Sequence, residues 1–182
     1  MTRVYSPREI TAMVDGAGTL RNKLIVRTLL STGVRASELC ALTVADAMDA
    51  NGPRDNIRLT VHKNMTRHSG PQYVPMPASL GIALALYAGN RSPDAPLFPS
   101  NKGGHLTRRG LHHLLRRICE RAQVEWKGIH GCRHTYATRL IDAGTPLQTV
   151  TACMRHSNVA VTSRYLHSTP QAMASAAAAV EV

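Results

Sequence analysis

The sequence predicts a mainly α-helical domain with a small antiparallel β-sheet, an α+β fold. Apolar residues recur at helical spacing along most of the chain, and one stretch, 57–76, alternates apolar and polar residues on either side of a turn. The chain has 182 residues, of which 43% are hydrophobic. It can therefore bury one ordinary core, and its length favours a single domain over residues 1–182.

The first predicted helices lie before residue 40. Ser6 and Glu9 have the spacing of a capping box, with proline at the first helical position, so a helix begins there. Apolar residues follow helical spacing again over 20–39, where Gly33 interrupts the pattern. Two helices are therefore expected to meet at Gly33, and Arg35 opens the second.

The middle of the chain combines a predicted hairpin, a helix and a loop. Residues 57–62 and 72–76 alternate apolar and polar side chains, and turn-forming residues lie at 68–71, which predicts an antiparallel β-hairpin. A proline precedes the apolar stretch 80–87, which is expected to be helical. The Gly, Pro and Ser content of 89–104 predicts a long surface loop within one domain.

The charge of the chain points to a polyanionic partner. Lys and Arg number 22 against 11 Asp and Glu, which gives a formal net charge of +11. One Trp, one Phe and five Tyr offer few surfaces for stacking on single-stranded bases. Double-stranded DNA, contacted through its phosphates, is the expected partner. The chain has no run of 18 apolar residues and no signal-peptide pattern, so we expect a soluble cytoplasmic protein with no membrane partner.

A basic amphipathic helix is predicted after Thr107, which can cap it. Its apolar side chains share one face: Leu111, Leu114, Leu115, Ile118 and Ala122. Five arginines lie largely outside that face: Arg108, Arg109, Arg116, Arg117 and Arg121. A charged helix face is most simply a solvated surface. The net charge nevertheless favours contact with the DNA backbone, so these arginines are predicted to bind DNA.

Cysteine and histidine spacing gives little support to a metal site. The four cysteines are far apart and form no C-x-x-C pair: Cys40, Cys119, Cys132 and Cys153. They are interpreted as reduced core residues rather than a disulfide framework or a zinc ribbon. His130 and His134 have the spacing of a zinc pair, but the zinc-protease pattern needs Glu where Gly131 stands.

Three short helical segments are predicted in the last third of the chain, separated by Gly-Thr-Pro and by Ser-Asn. His130 and Arg133, three residues apart, face one side if a single helix contains both. His156 and Tyr165 are nine residues apart and would face opposite sides of an unbroken helix, so a break at 157–158 is needed for both to reach one cavity. Metal-free DNA cleavage requires a nucleophile, cations and a proton donor, and the chain offers all three.

Four sequence blocks, taken in order, resemble the catalytic domain of tyrosine recombinases, the phage integrase family. The stretch 30–39, LSTGVRASEL, is similar to the family's first-arginine box, and Val-His-Lys at 61–63 lies where the family carries its hairpin lysine. The H-x-x-R box and the histidine-to-tyrosine block complete the resemblance, which extends over about 5–167. The joint order is more specific than any single motif. It implies the DNA breaking-rejoining enzyme fold.

The resemblance also implies six catalytic residues. Tyr165 would attack the scissile phosphate and form a 3′-phosphotyrosine, while Arg35 and Arg133 clamp the nonbridging oxygens. Lys63 would protonate the leaving 5′ oxygen. Two histidines would assist proton transfer at the tyrosine and hydrogen-bond the phosphate, respectively: His130 and His156. No metal or nucleotide cofactor is implied.

Such a protein would be a site-specific DNA recombinase or integrase. It is expected to be a monomer without DNA and to self-associate on paired DNA sites, as a tetramer in the synaptic complex. Two alternatives stay open. A type IB topoisomerase would use the same chemistry without partner exchange, and a DNA-binding regulator would keep the fold without the reaction.

The chain departs from the family pattern at Gly131, where an acidic residue is frequent, and at Arg155, where glycine is frequent. Neither is a principal catalytic position. The hairpin is longer than in compact members, which leaves the lysine role open between Lys63 and a substitute, Arg67.

Two parts of the domain are distinguished by composition. Residues 1–167 are predicted to form the catalytic core, and the Ala-rich segment 168–182 a tail, a possible exchange helix. The tail's apolar residues fall on one helical face: Met173, Ala176, Ala177 and Val180. We expect it to dock on a neighbouring protomer. The N-terminal DNA-clamping domain common in the family is expected to be absent.

Overall fold

The computed structural model describes residues 4–59 and 71–155. The chain divides into two compact units, one up to Tyr136 and one from Ala137 onward. The described helices and strands are α1 Pro7–Asp15, α2 Leu20–Thr32, α3 Ala36–Ala41, α4 Val44–Ala47, β1 Met48–Asp49, β2 Gly52–Pro53, β3 Asn56–Leu59, β4 Gln72–Pro75, α5 Ala78–Ala88, α6 Arg108–Arg121, α7 Ile129–Asp142 and α8 Leu147–Met154. The mainly helical fold with antiparallel strands is confirmed.

Within the described ranges the strands form two separate two-stranded sheets, where the sequence predicts one. β1 pairs with β2 and β3 pairs with β4, both antiparallel. The second pair is the described part of the predicted hairpin, and its opposed residues Ile57 and Val74 are fully buried. β1 and β2 have two residues each, which is too short for the alternation that reveals a strand in a sequence.

Helix ends lie where the capping signals place them. The Ser6 hydroxyl accepts from the Glu9 N–H at 3.3 Å, and the Glu9 carboxylate accepts from the Ser6 N–H at 2.7 Å, which confirms the capping box. α2 ends at Gly33 in the left-handed conformation, with φ +62°. Arg35 then precedes the first residue of α3 in an extended conformation. Two helices therefore meet at Gly33, as predicted.

The core of the first unit is built mainly on α2 and α6. α2 is buried around much of its circumference, including Leu24, Ile25 and Leu29. α6 begins after Thr107, whose hydroxyl accepts from the Gly110 N–H at 3.0 Å, and buries the apolar stripe that the sequence predicts. The basic side of α6 is left at the surface.

The segment between α5 and α6 is not wholly a surface loop, so this prediction is wrong for its centre. Leu97 and Phe98 are fully buried. The loop is also held by backbone hydrogen bonds, because the Val44 N–H donates to the Ala95 carbonyl at 3.0 Å and the Leu97 N–H to the Leu42 carbonyl at 2.8 Å. The burial of these two large apolar side chains and the backbone hydrogen bonds outweigh the tendency of the local Gly, Pro and Ser residues to form a surface loop.

The start of the chain is fastened to the beginning of α7. The Tyr5 N–H donates to the Thr135 hydroxyl at 2.9 Å, and the Tyr5 hydroxyl accepts from the Lys127 N–H at 3.1 Å. The Lys127 ammonium pairs with the Glu9 carboxylate and lies 5.0 Å from the Tyr5 ring centre. These contacts fix the part of α7 that carries the H-x-x-R block.

The second unit contains α8, which buries Val150 and Met154. Gly144, with φ +77°, lies in the predicted Gly-Thr-Pro break before α8. α8 ends at Arg155 in the left-handed conformation, with φ +51°. The third predicted helical segment and the tail lie outside the described residues. None of the described helices is long and apolar enough to cross a membrane.

Candidate active site

Arg35 is placed by the turn between α2 and α3. Its backbone is extended because Gly33, in the left-handed conformation, ends α2 just before it. The Glu38 carboxylate accepts from the Arg35 backbone N–H at 2.6 Å and from Nη1 of its guanidinium at 2.7 Å. Glu38 therefore holds the main chain and the side chain of Arg35 together.

Arg133 is tied to the same turn from α7. It is buried, and its Nη1 donates to the Gly33 carbonyl. Gly33 is also in close contact with Tyr136 of α7, because a Cβ at Gly33 would overlap the Tyr136 ring. The α2–α3 turn thus anchors both predicted phosphate-clamping arginines.

An open pocket of about 340 Å³ lies next to this turn. Three helices supply its lining: Arg35, Ala36, Ser37, Arg108, His112, Ile129 and His130. Two of the predicted catalytic residues, Arg35 and His130, meet here, and among the described residues no acidic side chain lines the pocket. Arg133 lies on the same helix as His130, as predicted, but is not part of the lining.

The other predicted catalytic residues cannot be compared with the structure. Four residues lie outside the described ranges: Lys63, its possible substitute Arg67, His156 and Tyr165. Their roles stay predictions.

The five arginines of α6 have different surroundings. Arg108 lines the pocket. Arg116 pairs with Glu120 at 3.0 Å, and Arg121 donates to the Ala17 carbonyl at 3.4 Å. The remaining two are exposed: Arg109 and Arg117. DNA binding by this set stays a prediction, and Arg108 is the member that reaches the candidate site.

Sequence reasoning missed two residues of this site, Glu38 and His112. Both left a signal, because Glu38 follows Arg35 by three residues and His112 follows Arg108 by four, the spacings at which helical neighbours meet.

The cysteines are free, and three of them are core residues: Cys40, Cys119 and Cys132. Burial raises the pKa of the Cys132 thiol to about 12 and that of Cys40 to about 11. These thiols therefore stay protonated at neutral pH, and a protonated thiol is a poor nucleophile and metal ligand. Among the described residues, no three His, Cys, Asp or Glu side chains are grouped to hold a metal ion.

Comparison with known proteins settles the family. A model of the phage integrase family matches residues 4–172. The chain belongs to the phage integrase family. This confirms the family that the four sequence blocks resemble.

Curated relatives in this family include two named tyrosine recombinase XerC. The protein from Bacillus subtilis is 29% identical over 172 residues, which are 87% of this chain and 53% of that protein. The protein from Erythrobacter litoralis is 31% identical over 169 residues, 91% of this chain and 52% of that protein. The chain spans about half the length of the curated relatives it matches.

Solved structures of other integrases and recombinases share the fold. XerA recombinase is 25% identical with a TM-score of 0.78, covering 100% of this chain and 65% of that chain. The Tn1549 transposon integrase, solved in complex with circular intermediate DNA, is 22% identical with a TM-score of 0.81, over 100% of this chain and 68% of that chain. The catalytic domain of bacteriophage HP1 integrase is 23% identical with a TM-score of 0.66, over 96% and 93%. The predicted tyrosine recombinase catalytic-domain fold is confirmed.

Proposed function

We propose that the chain is the catalytic part of a site-specific DNA recombinase or integrase, which cleaves and rejoins DNA strands through a 3′-phosphotyrosine at Tyr165. The observation that carries the proposal is the pocket in which Arg35 and His130 meet, with Arg133 anchored to the Gly33 carbonyl two residues before Arg35. Relatives named XerC and a neighbouring integrase solved with DNA support this reaction class.

The pocket suits the anionic transition state of phosphoryl transfer. Charge builds up on the nonbridging oxygens when the phosphorus becomes pentacoordinate, and fixed cations stabilise that charge without reorganising. Glu38 holds the Arg35 guanidinium through Nη1, and a guanidinium positioned in this way suits a phosphate oxygen. His130, exposed in the same pocket, assists the proton transfer.

The covalent step involves residues beyond the described ranges and rests on the family resemblance. The Tyr165 oxygen bonds to phosphorus, the bond to the 5′ oxygen breaks, and Lys63 gives that oxygen its proton. His156 donates a hydrogen bond to the phosphate. Attack by a 5′ hydroxyl of a partner strand reverses these bonds, so the phosphotyrosine retains the phosphodiester energy and strand exchange needs no nucleotide cofactor.

The partner of this reaction is double-stranded DNA. The protein is a monomer when free and self-associates on paired sites, as a tetramer in the synaptic complex, with the tail 168–182 docked on a neighbouring protomer. It acts in the cytoplasm, where bacterial or mobile-element DNA is accessible. Residues 1–167 form the catalytic core.

Covalent capture tests the proposal and finds the DNA site in the same experiment. Wild type and Tyr165→Phe are incubated with fragmented genomic DNA, protein-bound fragments are isolated under denaturing conditions, and their ends are sequenced. We expect wild type to retain fragments that share one sequence at the attached end, because only the phenol hydroxyl can make the bond. Equal capture by Tyr165→Phe would refute the nucleophile.

The same captured site separates the recombinase from its alternatives. Exchange of strands between two DNA molecules that carry the site supports a recombinase. Supercoil relaxation without exchange would indicate a topoisomerase, and sequence-specific binding without any adduct would indicate a regulator.

A further inference from the structure

One wall of the pocket has no role in the proposed reaction. It is formed by the first two turns of α6, where Arg108 and His112 are four residues apart and both line the pocket. At this spacing their side chains lie on one helix face. Arg35, which directly precedes α3, and His130 of α7 also line the pocket.

The pocket is larger than a single phosphate group requires. Its volume of about 340 Å³ falls within the roughly 300–1,000 Å³ of cavities that hold drug-sized ligands. A DNA strand presents a row of phosphates, each with one negative charge. A pocket of this size, with cations and imidazoles on two sides, can hold two successive groups of that row.

Arg108 is available for such a contact. Within the described ranges its side chain makes no hydrogen bond and no ion pair, unlike the side chains of Arg116 and Arg121 on the same helix. Two arginines in the first turn of α6 are also unfavourable for the free helix, because its N-terminal N–H groups are already positive. Binding of an anion would offset this cost.

His112 is oriented by an aromatic contact. Its ring packs edge-on against Trp126, with ring centres 5.3 Å apart and planes at 89°. Edge-to-face pairs of this kind have a preferred geometry. The contact with Trp126 therefore limits the rotation of the His112 imidazole, which lines the pocket.

We infer that Arg108 and His112 form a second phosphate subsite, which takes the DNA phosphate next to the one held by Arg35 and His130. The inference rests on the proposed function, since it assumes a DNA strand in this pocket. This subsite gives Arg108 a defined phosphate in the pocket, beyond the general contact with the DNA backbone that is predicted for all five α6 arginines.

The test measures binding of the full chain to a 20-base-pair duplex of mixed sequence over a series of salt concentrations. Each phosphate contact adds roughly 0.9 to the slope of log K against log salt, so Arg108→Ala should lower that slope by about 0.9. Arg8→Ala is the matched control, because Arg8 is an exposed arginine in the first turn of another helix, α1, and does not line the pocket. It should leave the slope nearly unchanged.

His112 is tested with the same duplex through Trp126, the one tryptophan of the chain. Its emission should change when wild type binds DNA, and His112→Phe, which keeps a ring but no hydrogen-bond donor, should weaken binding several-fold without changing the salt slope. A slope for Arg108→Ala equal to that of wild type, or an equal loss in Arg8→Ala, would overturn the subsite while the recombinase proposal stands. If wild type does not bind the duplex, both the second phosphate subsite and the recombinase proposal are overturned.

Discussion

Two of the described helices end in the left-handed conformation shortly before a predicted catalytic residue, and they do so with different residues. α2 ends at Gly33, φ +62°, two residues before Arg35. α8 ends at Arg155, φ +51°, directly before His156. Glycine adopts this conformation readily, whereas a residue with a Cβ loses about 1–2 kcal/mol.

The difference shows that a left-handed helix end does not by itself require glycine. Gly33 meets a second constraint, because a Cβ would overlap the Tyr136 ring, and its carbonyl also accepts from Arg133. Arg155 carries a side chain in the same backbone conformation and bears the backbone cost. Backbone conformation and tertiary contact together therefore fix the residue type at Gly33, whereas the conformation at Arg155 still admits a side chain.

The largest expected effect is that of Gly33→Ala. The left-handed backbone and the overlap with Tyr136 should together lower the free energy of unfolding by about 3 kcal/mol, measured by urea denaturation. Gly104→Ala is the matched control, since Gly104 has φ +66° and a Cβ added there would meet no other atom within 4 Å. It should lose only about 1 kcal/mol. Equal losses would show that the Tyr136 contact does not constrain this turn.

Glu38→Gln tests the contact between Glu38 and Arg35, which follows the end of α2 at Gly33. Loss of the carboxylate charge weakens the ion pair that holds the Arg35 guanidinium, and a hydrogen bond to a charged group contributes about 1.5–3 kcal/mol, so DNA cleavage should slow at least about tenfold. The rate of covalent adduct formation measures this. Glu125→Gln, at an exposed position, should cleave like wild type. Unchanged cleavage by Glu38→Gln would mean that Arg35 is oriented without Glu38.

The backbone cost at the second helix end is isolated by comparing Arg155→Gly with Arg155→Ala. Both variants remove the same side-chain contacts, so their difference reports the left-handed conformation alone. We expect the glycine variant to be more stable by about 1 kcal/mol, measured by thermal or urea unfolding. An alanine variant that is as stable as the glycine variant would remove the distinction between the two helix ends.

The smallest effect concerns a helix start, where Glu9 holds α1 as Glu38 holds α3. Burial by itself would raise the pKa of Glu9, but hydrogen bonds from Lys127 and Ser6 outweigh it and lower the pKa below its ordinary 4.5. A lowered pKa means that this stabilisation is present above pH 4.5 and is lost as the pH falls through the lower folded value. Glu9→Gln should cost about 0.5–1 kcal/mol at neutral pH.

Unfolding of wild type and Glu9→Gln across a pH series checks this sign. The difference between the two proteins should shrink in acid. A difference that is constant down to about pH 3 would show that the carboxylate charge contributes nothing.

Local signals account for the parts of the structure that the sequence predicts correctly. The Ser6 capping box, the break at Gly33 and the start of α6 at Thr107 depend on residues within a few positions of one another. Such signals predict the folded structure correctly because helix capping and backbone geometry are local properties.

Long-range contacts account for what the sequence did not reveal. Leu97 and Phe98 lie in a segment whose composition is typical of a surface loop. They are buried because they pack in a core formed by residues distant in the sequence. His112 belongs to the exposed side of α6 by its spacing, and only the approach of α3 and α7 makes that side one wall of a pocket. No periodicity in a single segment carries this information.

The most direct test of the central claim is to identify the amino acid that carries the DNA. The adduct formed on a captured site is digested with nuclease and trypsin, and the modified peptide is sequenced by mass spectrometry. Residues 156–182 contain one tyrosine, so the account predicts a nucleotide linked through its 3′ phosphate to Tyr165 in a peptide from this region. A nucleotide linked to any other residue, or cleaved DNA without an attached peptide, would contradict it.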